Sequence, residues 1–120
     1  MKRRIACLSS LALAVSSVSA QAHHSDAMFD RAQTVLKEGT IKEYQFQNPH
    51  TWIVVIVPGE GTWSFEGRPP GPAAREGLTP DKLAPGTKIA VHVHPLKDGR
   101  PGGSLIDFKL EGMSDFRYVN

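Results

Sequence analysis

The sequence predicts an all-β domain with one short helix, and three observations lead to that fold class. The 120-residue chain has the length of a single domain. Its apolar residues fall in short runs that are rich in β-branched and aromatic side chains, many of them alternating with polar ones, as in strands. Of its 11 glycines and nine prolines, 17 lie between Pro58 and Gly103. Turns concentrated in this way are typical of several short strands.

Residues 1–22 predict a secretory signal peptide. Three basic residues at positions 2–4 precede an apolar run over residues 5–20 that ends in small side chains. Cleavage after Ala20 and cleavage after Ala22 both satisfy the small-residue rule. We therefore expect a periplasmic or secreted protein.

Removal of this segment changes what the composition implies. The single cysteine, Cys7, leaves with the signal, which excludes disulfides, thiol catalysis and thiolate metal sites in the mature chain. The three basic residues leave as well, so the formal net charge falls from +2 to about −1. This charge argues against nucleic acid as a partner. No later segment reaches about 18 consecutive apolar residues, so we expect no membrane span after cleavage.

The mature chain is predicted to consist of an N-terminal arm (residues 23–34), a β-domain (35–112) and a C-terminal tail (113–120). Residues 51–57 are its most apolar run, which predicts a central strand buried on both faces. The helix is expected after a proline-rich stretch and ends at a glycine. In chain order, the expected elements are strands at 35–46, 51–57 and 62–66, a helix at 73–77, and strands at 87–94 and 104–110.

This order, with the helix between the third and fourth strands, is that of a small five-stranded Greek-key barrel of the OB type. A generic five-stranded meander is the alternative. In the last strand, simple alternation places the odd-numbered residues on one side, opposite Ile106, Phe108 and Leu110.

Six short motifs carry a family resemblance. They are Ala22-His23-His24-Ser25, Asn48-Pro49-His50-Thr51-Trp52, Trp63-Ser64-Phe65-Glu66-Gly67, Ala74-Arg75-Glu76-Gly77-Leu78-Thr79, Leu83-Ala84-Pro85-Gly86 and His94-Pro95-Leu96-Lys97-Asp98-Gly99. With this spacing, nearly the whole mature chain resembles a family of small secreted bacterial proteins of uncharacterised function, a domain of unknown function. The resemblance implies an exported small β-barrel and supplies no catalytic assignment.

Histidine is the residue type on which the functional prediction rests. All five histidines follow the predicted signal, and imidazole is a ligand that copper and zinc prefer. His92 and His94 are two residues apart on one predicted strand, so their side chains share its polar face. His50 begins the central strand after a turn. A site of His23 or His24 with His50 and His94 would suit copper or zinc, and His92 is a further candidate ligand.

The two cleavage sites place a chelating group at the terminus in different ways. If Gln21 is the first residue, His23 is the third, and the amine, two backbone amides and the imidazole suit copper(II) or nickel(II) in a square plane. If His23 is the first residue, its own amine and imidazole chelate copper, and His24 adds a donor. Copper is therefore the favoured metal. The competing interpretation is that the histidines are solvated or cap strand ends.

The leading hypothesis is an exported carrier or accessory protein that binds a transition metal through its histidines. One alternative is a non-enzymatic interaction module for a periplasmic partner protein or a small ligand. Another is an oxidative copper enzyme, which requires His23 to be the first residue. We expect no enzymatic activity, because the sequence holds no G-x-S-x-G, no H-E-x-x-H and no phosphate loop.

Overall fold

The computed structural model describes residues 26–119, so the predicted signal peptide lies outside the described residues. The elements are β1 (Val35–Gln45), β2 (Trp52–Val57), β3 (Gly61–Glu66), α1 (Pro70–Arg75), β4 (Lys88–Pro95), β5 (Gly102–Leu110) and β6 (Arg117–Tyr118). The five predicted strands and the helix between the third and the fourth are all present. In this part of the chain, no helix is both long and apolar enough to cross a bilayer.

Five of the strands form a closed barrel. Neighbouring strands follow the order β3-β2-β1-β4-β5, and a parallel pairing of β5 with β3 joins the two ends. The other pairs within the barrel are antiparallel. The predicted OB-type barrel is therefore confirmed over the meander, which would pair β3 with β4. The extra strand β6 pairs with β5 and lies within the predicted C-terminal tail.

Two glycines permit the closure of the barrel. Gly102 and Gly103 begin β5 where this strand lies between β3 and β4. A Cβ atom on Gly103 would lie 2.6 Å from the carbonyl oxygen of His94, and one on Gly102 would lie 2.9 Å from that of Ser64. These separations leave no room for a side chain, so backbone packs directly on backbone at this seam.

A bulge in β5 changes which residues face the core. His92 of β4 pairs with Asp107, and the next residue of β4 pairs with Leu105, so Ile106 is an extra residue on β5. Leu105 and Phe108 consequently both face the core. The predicted alternation of this strand was wrong on the N-terminal side of the bulge, where it placed Leu105 opposite Phe108.

The strand β2 is buried on one face. Ile53, Val55 and Val57 face the core, whereas Ile56 on the opposite face is 48% exposed. The prediction of a strand buried on both faces was wrong, because only the inner face of a strand is covered in a small closed barrel.

The helix α1 and the segment after it cover part of the core. The helix begins at Pro70, earlier than predicted, because a proline fits the first turn without loss of a hydrogen bond. Ala73, Leu78 and Leu83 are buried in the core cluster. Tyr44 of β1 binds the segment after the helix, because its hydroxyl donates a hydrogen bond to the carbonyl oxygen of Leu78 over 2.9 Å. Burial raises the pKa of the Tyr44 phenol, which favours this neutral donor.

Candidate functional site

The candidate site is a pocket of about 270 Å³ where the β1–β2 loop (residues 46–51) meets the end of β3. In OB-type barrels, the loops after β1 and after β4 flank the ligand-binding surface. We refer to this cavity as the His50 pocket. Its lining residues are Asp26, Phe29, His50, Glu66, Gly67, Arg68, Pro69, Ser104 and Leu105.

The ring of His50 is oriented by a hydrogen bond. Its Nδ1 lies 3.1 Å from the carbonyl oxygen of Gly67. A carbonyl oxygen can only accept, so Nδ1 carries the proton, and the lone pair of the neutral ring lies on Nε2. A backbone carbonyl that sets the tautomer in this way is typical of histidines that bind a metal through Nε2. The side chain is 41% exposed, so it is accessible from solvent.

Glu66 brings a carboxylate to the same ring. Its Oε1 lies 3.6 Å from Nδ1 of His50, and the Glu66 side chain is largely buried. Glu66 is the last residue of β3 and pairs with Trp52, the first residue of β2. The hairpin register therefore places the carboxylate beside the loop that holds His50. An imidazole and a carboxylate, two ligand types for copper and zinc, lie in one pocket.

Thr51 holds the β1–β2 loop against the end of β3. This residue is fully buried, its hydroxyl donates to the carbonyl of Arg68 over 2.7 Å, and its backbone N–H donates to the same oxygen over 3.1 Å. The N–H of Gly67 donates to the carbonyl of Thr51 over 2.8 Å. A Cβ atom on Gly67 would lie 2.5 Å from the Thr51 hydroxyl, so this close approach requires glycine.

Arg68, which lines the pocket, forms its ion pair with a carboxylate that lies outside the pocket. Nη1 of Arg68 lies 2.6 Å from Oε1 of Glu76, which follows α1. Pairing with this carboxylate reduces the repulsion that Arg68 would exert on a cation at His50. At the pocket wall, Asp26 pairs with Arg31 over 2.6 Å, and both side chains are exposed.

The segment before β1 is bound to the turn between β4 and β5. Phe29 is 4% exposed and forms an antiparallel bridge with Leu96. This anchoring places Asp26 at the wall of the His50 pocket. The bridge is flanked by two backbone hydrogen bonds, from Asp30 N to the Pro95 carbonyl (2.8 Å) and from Lys97 N to the Met28 carbonyl (2.9 Å).

The turn that receives this segment is closed by its own residues. The carboxylate of Asp98 accepts hydrogen bonds from the backbone N–H of Arg100 over 3.0 Å and from its Nε over 2.7 Å. These bonds hold the pKa of the Asp98 carboxyl below its usual range. Gly99 has a φ of 81°, a conformation that favours glycine. The motif over residues 94–99 therefore builds the turn on which the arm rests.

His94 lies on the outer face of β4 at the same end of the barrel. Its Nδ1 donates to the carbonyl of Gln33 over 2.8 Å, which ties β4 to the arm. His94 pairs with Ser104 on β5, and Ser104 pairs with Glu66 on β3. The Cα atoms of His94 and Glu66 are thus two strand spacings apart, about 10 Å.

His92 faces outwards from β4 like His94, as predicted, but has different partners. Its Nδ1 lies 2.6 Å from Oδ1 of Asp107 on β5. The ring of Phe116 packs against the imidazole with 4.5 Å between ring centroids. One ring nitrogen and one ring face of His92 are therefore occupied by neighbouring side chains.

Three of the five histidines that were predicted as ligands, His50, His92 and His94, lie in the described residues. His50 contributes an imidazole to the pocket, and His94 lies across two strands from the Glu66 end of it. In residues 26–119, no three His, Cys, Asp or Glu side chains are grouped closely enough to hold a metal ion. His23 and His24 lie outside this range, so a site that joins one of them to His50 and His94 stays a prediction.

Two acidic residues of the pocket were missing from the predicted ligand set. Glu66 had a usable signal, because the hairpin of β2 and β3 pairs its position with the start of β2, next to His50. No sequence signal indicated Asp26, because its position depends on the docking of Phe29 onto a turn that is distant in sequence.

The fold and the pocket define a small OB-type barrel with a histidine and a carboxylate together at one end. The chain belongs to a family of unknown function (DUF6152), whose model matches residues 11–105. Among solved structures, the chain is similar to one in the crystal structure of a complex of TiaS with an isoleucine tRNA and ATP, with a TM-score of 0.51 and 12% identity. The match covers 68% of this chain and 19% of that chain, and it concerns the fold alone. No curated protein matched this chain.

Proposed function

We propose that this protein binds a transition-metal ion, with copper favoured, in the His50 pocket, and that it acts as an exported carrier or accessory protein. The proposed ligands are Nε2 of His50, the carboxylate of Glu66 and a donor from His23 or His24. The observation that carries the proposal is that His50, Glu66 and Asp26 line one pocket.

The covalent chain limits how far the N-terminal histidines lie from this pocket. An extended chain advances at most about 3.6 Å per residue, so the Cα atom of His24 is within about 7 Å of that of Asp26. By the same limit, the Cα atom of His23 is within about 11 Å. Because Asp26 lines the same pocket as His50, we propose that an imidazole from one of these two residues supplies the third ligand.

The donor set favours copper. It combines imidazole nitrogens with a carboxylate, and the amine of His23 joins it if cleavage follows Ala22. For sites of nitrogen and oxygen ligands, the affinity of first-row divalent ions is highest for copper(II). The single cysteine, Cys7, lies in the predicted signal peptide, so thiolate ligands do not compete.

The two histidines of β4 have different roles in this proposal. His94 lies at the same end of the barrel and supports the arm through the carbonyl of Gln33. His92 is outside the site, because its ring is held between Asp107 and Phe116.

The test is a titration of the mature protein, purified from the periplasm without a tag, with copper(II) against a competing chelator. Intact-mass and metal analysis of the same sample reports the mature N-terminus and the bound metal. We expect near-stoichiometric copper binding and an affinity at least about tenfold lower in His50→Ala. The matched control is His92→Ala, which removes the same side chain outside the pocket and should keep the wild-type affinity.

A combined variant that replaces His23, His24, His50 and His94 with alanine decides the proposal. If it binds copper(II) as tightly as the wild-type protein, the histidines are not the ligands and the proposal is wrong.

A second candidate function is binding of a small ligand, which a separate groove of about 420 Å³ favours. The groove combines apolar residues with two lysines and two glutamates, so a zwitterionic ligand with an apolar body would match it. A metal-free protein that carries such a ligand in native mass spectrometry, and loses it in Ala90→Leu, would favour this function. The groove is lined by Glu38, Gly39, Thr40, Pro58, Lys88, Ile89, Ala90, Lys109, Leu110, Glu111, Gly112 and Met113.

A further inference from the structure

We infer that a cavity beside β6, which we call the Arg117 cavity, binds a small organic carboxylate with an apolar body. The cavity has a volume of about 400 Å³, within the range of small-molecule sites. It shares no lining residue with the His50 pocket, so the inference goes beyond the proposed metal binding and does not depend on it. The cavity is lined by Gly77, Lys82, Thr87, Phe108, Leu110, Glu111, Gly112, Met113 and Arg117.

The apolar wall of the Arg117 cavity belongs to the barrel core. Phe108 and Leu110 of β5 are 1% and 8% exposed, and Met113 packs against the same core cluster. The sulfur of Met113 accepts a hydrogen bond from the backbone N–H of Leu110 over 3.3 Å, which holds this side chain at the wall. An apolar group that enters the cavity therefore exchanges water for a wall of apolar side chains.

Arg117 brings a positive charge to this wall. It is the first residue of β6 and pairs with Phe108 of β5. Side chains of directly paired residues lie on the same face of a sheet, so the guanidinium lies on the face of the buried Phe108 ring. The strand register thus places a cation and an apolar wall in one cavity.

The guanidinium of Arg117 is fixed by a contact that keeps its charge. Its Nη1 donates to the backbone carbonyl of Glu76 over 3.0 Å. A Cβ atom on Gly77 would lie 2.9 Å from the same Nη1, so the glycine makes room for this approach. A carbonyl is neutral, and the guanidinium has five N–H donors in a planar fork. Donors therefore remain for a carboxylate, the anion whose geometry matches that fork.

The charges of the lining residues favour a ligand with one negative charge. Lys82, in the segment after α1, adds a second cation to Arg117, and Glu111 is the one carboxylate among the lining residues. The cavity therefore carries one excess positive charge. A carboxylate on an apolar chain satisfies both the charge and the wall, whereas an alkylammonium ion would meet like charges.

A neighbouring groove supplies the controls. The turn over residues 110–113 lines both the Arg117 cavity and the groove of about 420 Å³. Lys88 and Ala90 line the groove and not the cavity. Lys88→Gln removes the same charge as Lys82→Gln, and Ala90→Leu narrows the groove. Neither change touches a residue of the cavity.

The experiment is a calorimetric titration of the mature protein with octanoate and, separately, with octylammonium. We expect saturable binding of octanoate, with an affinity at least about tenfold above that for octylammonium. Arg117→Gln should weaken octanoate binding about tenfold, because it removes a charge-assisted bond to the carboxylate. Lys82→Gln should weaken it about threefold. Lys88→Gln and Ala90→Leu should bind octanoate like the wild-type protein.

Amide chemical shifts of the wild-type protein locate the ligand without any substitution. Octanoate should shift the resonances of Gly77, Phe108 and Gly112, which line the cavity. It should shift those of Glu38 and Ala90, which line only the groove, much less.

Three outcomes overturn the inference. The first is the absence of saturable octanoate binding, and the second is an equal affinity for octylammonium. The third is a loss in Lys88→Gln as large as that in Lys82→Gln, because the attraction would then be a general effect of surface charge. Octanoate binding that is unchanged in His50→Ala supports a site separate from the proposed metal site.

Discussion

Two histidine–carboxylate pairs lie on the outside of the same barrel and differ in what surrounds the ring. In the first pair, Nδ1 of His50 donates to the backbone carbonyl of Gly67. Oε1 of Glu66 lies 3.6 Å from the same Nδ1. In the second, Nδ1 of His92 is 2.6 Å from Oδ1 of Asp107. The first pair lines a pocket, whereas the second is covered on one ring face by Phe116.

This difference shows that the neighbours of a histidine decide which parts of its ring are accessible. In the pair of His92 and Asp107, ring and carboxylate bind each other and join β4 to β5, so the pair contributes to stability. In the pair of His50 and Glu66, the ring N–H donates to the carbonyl of Gly67, so Nε2 carries the lone pair of the neutral ring, and the ring lines a pocket together with the carboxylate. We therefore expect replacements in the two pairs to affect different measurements.

The largest expected effect concerns the barrel that carries both pairs. Gly103→Ala should lower the free energy of unfolding by about 2–3 kcal/mol, because the new Cβ would lie 2.6 Å from the backbone oxygen of His94. Urea denaturation measures this loss. The matched control is Gly71→Ala in α1, where the nearest atom is Nη1 of Arg75 at 3.6 Å. It should change stability by less than about 1 kcal/mol. A similar loss of unfolding free energy in both variants would contradict the close backbone packing at Gly103.

The next effect separates the two pairs by stability. His92→Ala should lower the free energy of unfolding by about 1–2 kcal/mol, because it removes the ring nitrogen that lies 2.6 Å from Oδ1 of Asp107. His50→Ala, on a more exposed side chain, should cost less than about 0.5 kcal/mol. Urea denaturation of both variants checks this order. If His50→Ala is the more destabilising, the comparison between the pairs is wrong.

A smaller effect separates the pairs by charge. Glu66→Gln keeps the shape of the side chain and removes its negative charge from the His50 pocket. We expect copper(II) binding to weaken about fivefold, the effect of about 1 kcal/mol of charge attraction. The control is Asp107→Asn, which removes a carboxylate charge from the other pair. Equal affinities of these two variants in the chelator competition would count against Glu66 as a ligand.

The smallest effect concerns the ring that covers His92. Phe116→Leu replaces an aromatic contact with 4.5 Å between ring centroids by an aliphatic one. The expected loss of stability is about 0.5–1 kcal/mol, with no change in copper(II) affinity. Thermal unfolding and the chelator competition together check both parts. A copper affinity reduced as much as in His50→Ala would show that the two histidine regions are not independent.

Local patterns in the sequence predicted most of the fold. Alternation along β4 placed His92 and His94 on its outer face, and the turn residues predicted the five strands and the helix in the right order. The same patterns failed at Ile106 and Ile56. The first lies at a bulge, and the second faces away from the core of a small barrel. Neither an extra residue between paired strands nor the covering of one sheet face is encoded in one strand alone.

For the candidate site, the residue types follow from the local sequence: histidines after a predicted signal, no cysteine beyond it, and His50 next to a turn. Which of these residues meet depends on the closed barrel. It placed Glu66 beside His50 through the hairpin register and placed Asp26 there through the burial of Phe29. It also placed Oδ1 of Asp107 2.6 Å from Nδ1 of His92. The physical reason is that strand and turn propensities depend on neighbouring residues, whereas these contacts form between distant segments only when the barrel closes.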